Sequence, residues 1–141
     1  MTGKVFVDTN VLVYAMDDAD PAKQACAREL MSSARAESHA VSPQVLQEFY
    51  NAVTRKLARP VAPEDAALAV RALARLTVVP ADAELVIAAI EIHRRHQLSL
   101  WDALILQAAL NGGCGRLLSE DLQHGFRIGS VVVENPFHGL G

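Results

Sequence analysis

The sequence predicts an α/β domain with a mainly parallel sheet of about five strands. Three observations predict it. Short apolar runs rich in valine and leucine alternate with segments of helical periodicity. Several helix starts are marked by an acid or hydroxyl followed by proline, as at Asp20-Pro21 and Ser42-Pro43. No repeat, low-complexity tract or linker divides residues 1–141, so a single domain is expected.

The elements follow in order. The first strand is expected over Lys4–Val7, and the helix Asn10–Met16 follows with Asp8 as a candidate cap. Asp20-Pro21 starts a helix carrying Ala25, Leu30 and Met31, which fades near Ser32-Ser33. A short strand is expected over His39–Val41. Ser42-Pro43 then starts a helix whose Val45, Leu46, Phe49, Val53 and Leu57 keep helical spacing, with its end at Arg59-Pro60. Pro63-Glu64 opens a shorter helix with Ala67, Leu68, Val70 and Leu73 on it. Thr77–Val79 is the next strand, and Asp82 caps a helix on which Val86, Ala89, Ile90 and His93 align. Leu100–Leu110 is the last long helix, closed by Asn111-Gly112-Gly113. Strands over Arg116–Leu118 and Ser130–Val133 complete the set.

Composition narrows the function. An apolar fraction of 51% fits a compact domain rather than a disordered chain. No apolar run approaches the roughly 20 residues of a membrane span, and no signal peptide is visible. The two cysteines, Cys26 and Cys114, are far apart and read as reduced thiols of a cytoplasmic protein. A net charge of -3 argues against a general nucleic-acid coat, but not against a nucleic-acid enzyme whose acids contribute to that sum.

Four acids stand beside apolar segments instead of in charged runs: Asp8, Glu48, Asp102 and Asp121. Each has a structural explanation when taken alone. Asp8 can cap a helix, Asp102 can complete a capping box with Ser99, and Asp121 can favour a first helical turn after Ser119. Glu48 can lie at the border of an amphipathic helix. Together they point elsewhere. Asp8 and Asp121 both fall at the carboxyl end of an expected strand, where ligand sites of parallel sheets gather. Carboxylates brought within about 4 Å repel by roughly 4 kcal/mol per pair at an effective dielectric near 20. A cluster persists with a cation or with raised pKa values. An all-oxygen set suits Mg²⁺ or Mn²⁺.

These residues resemble a known family. Val5-Phe6-Val7-Asp8-Thr9-Asn10-Val11-Leu12-Val13-Tyr14 looks like the opening motif of PIN-domain nucleases. Ser42-Pro43-Gln44-Val45-Leu46-Gln47-Glu48-Phe49 resembles their second acidic motif, and Leu98-Ser99-Leu100-Trp101-Asp102-Ala103-Leu104-Ile105 the third. Leu117-Leu118-Ser119-Glu120-Asp121-Leu122-Gln123-His124-Gly125 resembles the fourth. The order and spacing cover nearly the whole chain, and the nearest likeness is to VapC-like toxins of prokaryotic toxin–antitoxin pairs. The resemblance implies a three-layer α/β/α sandwich and Mg²⁺- or Mn²⁺-dependent cleavage of RNA phosphodiesters. It maps the family's acids onto Asp8, Glu48, Asp102 and Asp121, with Asn10 and Ser119 as supporting polar residues. It also implies a small antitoxin partner that blocks the acidic groove, and a homodimer.

The remaining candidates are weighed against plainer roles. Arg55, Lys56 and Arg59 can contact RNA phosphates or favour a helix end. Glu120 is an extra acid whose side chain is expected to point away from the site. His93 and His96 read as a helix-end pair without a third metal ligand, and His124 as a helix-closing residue before Gly125. Asp17-Asp18-Ala19-Asp20 lacks the glycine and distant glutamate of a calcium loop, and Gly112-Gly113-Cys114-Gly115 reads as a turn. Trp101 is expected to be a core or helix-packing residue rather than a base-stacking platform. Two other functions compete. A haloacid-dehalogenase-like phosphatase also places Asp after its first strand, but Asn10 stands where its second Asp belongs. A non-catalytic RNA- or protein-binding module would not need the full acid set.

Overall fold

A computed structural model describes residues 3–140. Six strands and six helices are formed among them. Strand β1 (Lys4–Val7) is followed by α1 (Thr9–Met16) and α2 (Pro21–Ser32), then β2 (His39–Val41), α3 (Pro43–Arg55) and α4 (Pro63–Leu73). Strand β3 (Thr77–Val78) leads to α5 (Ala83–His96) and α6 (Leu100–Asn111), then β4 (Cys114–Leu118), β5 (Arg127–Ile128) and β6 (Val131–Glu134).

The sheet order is β3-β2-β1-β4-β6-β5. All neighbours are parallel except β5, which runs antiparallel to β6 at the edge. The chain builds outward from β1 to β2 and β3 on one side, then crosses to β4 and β6 on the other. The seam between β1 and β4 is therefore a topological switch point, where the crevice of an open α/β sheet lies. Helices α1 to α4 pack on one another, α5 packs along α6, and α6 covers β4 and β6. These groups and the sheet make the three layers of an α/β/α sandwich.

Local chemistry explains the element bounds. Asp20, Ser42, Asp82 and Ser99 each cap a helix by accepting a backbone N–H three residues on. Pro21 and Pro43 occupy first-turn positions, where the missing N–H costs nothing. Gly113 takes the left-handed conformation (φ 68) just beyond α6 and turns the chain into β4. The strands at the centre of the sheet carry buried Phe6, Val7, Leu117 and Leu118, and α6 adds Ile105 and Leu106. Cys26 and Cys114 are free thiols, and burial pushes the Cys114 thiol up to about 11.

Several expectations are corrected. The sheet has six strands, because the two-residue β5 is too short to register as a pattern. Helix α3 ends at Arg55, with Lys56 as its C-cap, so Arg59 lies beyond it and pairs with Asp18 at 3.2 Å. Among the described residues no helix follows Ser119. Asp121 and His124 lie in bends and turns, because Gly125 N–H donates to Val133 O and Val133 N–H to Phe126 O. Those bonds commit the segment to β6, so neither the helix-turn role of Asp121 nor the helix-closing role of His124 holds. Among the described residues no helix is long and apolar enough to cross a membrane.

Candidate active site

The four dispersed acids line one cavity of about 610 Å³. Each arrives from a different element. Asp8 follows β1, Glu48 lies in the middle of α3, Asp102 is in the first turn of α6, and Asp121 follows β4. The sheet places Asp8 and the segment after β4 side by side, because Val7 is in register with Leu118. Asp8 N–H donates to Leu118 O at 3.0 Å, which locks the seam.

Asp8 is the most buried of the four, with 4% of its surface exposed. Its carboxylate accepts from Thr9 N–H (2.7 Å), the Ser119 hydroxyl (2.8 Å) and Asn10 Nδ2 (3.2 Å). Three donors would normally lower a carboxyl pKa. Here burial outweighs them and, with the charges of Asp121 and Glu48, raises Asp8 to about 6. Ser119 is fully buried and also accepts from Asp121 N–H (3.2 Å), so one hydroxyl ties Asp8 to the backbone of Asp121. Asn10 Oδ1 accepts from Glu120 N–H (2.9 Å). Asn10 and Ser119 thus clamp β1 to the loop after β4.

Glu48 is held by two residues that sequence reasoning passed over. Thr9 Oγ1 donates to one oxygen (2.9 Å) and Gln44 Nε2 to the other (3.2 Å). Gln44 also donates to Trp101 O (3.3 Å), which links α3 to the first turn of α6. The available signal was the four-residue spacing of Gln44 and Glu48, which puts both on one helix face. Asp102 N–H donates to Ser99 Oγ (3.1 Å). Its carboxyl pKa is raised, by burial first and then by the charges of Asp121 and Glu48, against the Ser99 hydroxyl.

Glu120 borders the cavity but is already partnered. It accepts from Tyr14 Oη (2.8 Å) and pairs with Lys23, which stands over the Tyr14 ring. An internal ammonium therefore neutralises it. Of the basic trio, Lys56 borders the cavity, whereas Arg55 and Arg59 do not. His124 Nδ1 accepts from Asn135 N–H, and its ring stacks on His138 at 4.4 Å, away from the acids. His93 meets Leu98 O at the end of α5, and His96 packs edge-on against Phe126. Trp101 is not a core residue: it is 63% exposed and borders the cavity.

The donor set suits a hard cation. Among the described residues no three metal-binding side chains are already gathered around one point. Convergence is looser, on a shared cavity, which fits an ion that keeps several of its waters and takes few carboxylates directly. The Asp8 and Asp102 carboxyls are raised first by burial and then by the charges of Asp121 and Glu48, and a bound cation would offset both. Asp8, Glu48, Asp102 and Asp121 would hold it.

Comparison with known proteins agrees with this fold. No curated protein matches the chain. Mycobacterium tuberculosis VapC20, a sarcin-ricin loop cleaving toxin, superposes with a TM-score of 0.67 at 23% identity, over 84% of this chain and 90% of that one. A toxin–antitoxin complex from Klebsiella pneumoniae gives a TM-score of 0.69 at 16% identity, over 94% and 98%. A DNA-bound VapBC from Salmonella typhimurium gives 0.66 at 21% identity, over 95% and 98%. The PIN domain family model matches residues 5–127, which span all four acids, and the chain therefore belongs to the PIN domain family.

Proposed function

We propose that this chain is a metal-dependent endoribonuclease that hydrolyses RNA phosphodiester bonds with Mg²⁺ or Mn²⁺, and the toxin of a toxin–antitoxin pair. One observation carries the reading: four acids from four separated segments line one cavity at the switch point of a parallel sheet. The ion, when bound, supplies an activated water and neutralises charge on the phosphodiester oxygens. The chain's own part is orientation. Asn10 and Ser119 fix Asp8 and the Asp121 loop, and Thr9 and Gln44 fix Glu48. Lys56 brings a cation to the same cavity for a substrate phosphate.

Membership of the PIN family and the toxin relatives support the biological role. An antitoxin partner fits the charge of the cavity, because an arginine can bind carboxylates in the place of an ion. A homodimer is proposed as well. Val86, Ile87 and Ile90 leave apolar surface exposed on α5, which a second copy can cover. Ile87→Glu is expected to shift a dimer to monomer by sedimentation velocity; a monomeric wild type would contradict the dimer.

Sequencing of RNA ends after induction in cells tests the function. New ends at defined sites are expected with the wild type and not with Asp8→Asn. Identical ends from both proteins would reject it. Gln44→Ala is expected to lower the cleavage rate roughly 10- to 100-fold, the usual effect of losing a group that orients a metal ligand. An unchanged rate would remove Gln44 from the site's support.

A further inference from the structure

We propose that Trp101 is a stacking platform for one unpaired nucleobase of the substrate, which turns onto the indole. The proposal rests on the nuclease reading above and adds the residue that grips a base of its substrate. Trp101 is the largest side chain of α6, a helix that otherwise buries Ile105, Leu106 and three alanines. It is nevertheless 63% exposed. Of the seven large apolar side chains left exposed among the described residues, it alone borders the acidic cavity. Its neighbour Asp102 is one of the four acids, so the indole stands one residue from the chemistry. Gln44 holds the Trp101 carbonyl and Glu48 together, which fixes this turn of α6 against α3. Lys56, which forms no ion pair among the described residues, borders the same cavity. An exposed aromatic with a nearby free cation is the pairing that grips a single strand, base on the ring and phosphate on the ammonium. A paired base keeps its faces against its neighbours and cannot use the platform.

Trp101 is the sole tryptophan, so its fluorescence reports on this position alone. The titration uses the cleavage-silent Asp8→Asn protein and a short single-stranded RNA, with the same strand lacking its bases as control. Quenching by the RNA and none by the abasic strand is expected. With the otherwise wild-type protein, Trp101→Ala is expected to raise KM on the order of tenfold, with a smaller effect on kcat. Trp101→Phe should recover most of the loss. Cleavage by the wild type together with an unquenched indole and an unchanged KM in Trp101→Ala overturns the platform and leaves the nuclease reading standing. Loss of self-association in Trp101→Ala at unchanged KM assigns the indole to a subunit contact and overturns it too. A wild type that cleaves no RNA overturns the nuclease reading, and the platform with it.

Discussion

Asp8→Asn is expected to lower RNA cleavage on the order of 10³-fold while making the metal-free fold more stable at neutral pH. The two effects have one cause. The Asp8 carboxyl is buried beside Asp121 and Glu48, and ionising it there is unfavourable enough to raise its pKa to about 6. An amide removes that charge. It keeps a partner in Thr9 N–H, and the Ser119 hydroxyl can reverse its role from donor to acceptor. Two donors lose their acceptor, Asn10 Nδ2 and the buried Ser119 O–H, at about 1 kcal/mol each. The balance favours the variant by about 1 kcal/mol in the absence of metal. Activity is expected to move the other way, because the removed charge is one of those proposed to hold the cation. Thermal unfolding in EDTA and cleavage assays in Mg²⁺ read the two effects. A variant both inactive and less stable would show instead that Asp8 serves the fold.

The second large effect is a pH dependence that metal abolishes. Between the ordinary value of 3.8 and about 6, the folded protein holds a proton on Asp8 that the unfolded chain has released. Its contribution to stability is therefore complete below the lower value, lost as pH rises through this window, and flat above it. The loss is on the order of 3 kcal/mol. Asp102 contributes in the same direction. Glu134, lowered by Arg116, and His39, lowered by burial, act in the opposite direction. Comparing wild type with Asp8→Asn at each pH cancels those common contributions. The difference should grow between pH 4 and 6 in EDTA and then level. Mg²⁺ at about 100 times its dissociation constant should restore about 2.7 kcal/mol to the wild type at neutral pH and little to the variant. A pH-independent difference would mean that burial and the neighbouring charges do not raise the Asp8 carboxyl.

Much of this was legible in the sequence because it is written in local chemistry. Asp20-Pro21 and Ser42-Pro43 announce helix starts through capping and a fixed φ, and both helices begin there. The acids were visible because a carboxylate beside an apolar run is costly without a purpose, and all four meet in one cavity. What failed depended on partners distant in sequence. Asp121 reads as an acid in a first helical turn, but the strand pairing with β6 claims the backbone that follows. Trp101 reads as core by its apolar character, yet burial depends on what packs against it, and 63% of it stays exposed. Gln44 and Thr9 carry no conspicuous chemistry until the fold brings them to Glu48.

The most direct test is cleavage of single-stranded RNA by purified protein, with Mg²⁺ or Mn²⁺ and with excess EDTA, for wild type and Asp8→Asn. Cut RNA is expected from the wild type with either ion, with none in EDTA and little from Asp8→Asn. Equal cleavage by both proteins, or full activity in EDTA, would contradict it.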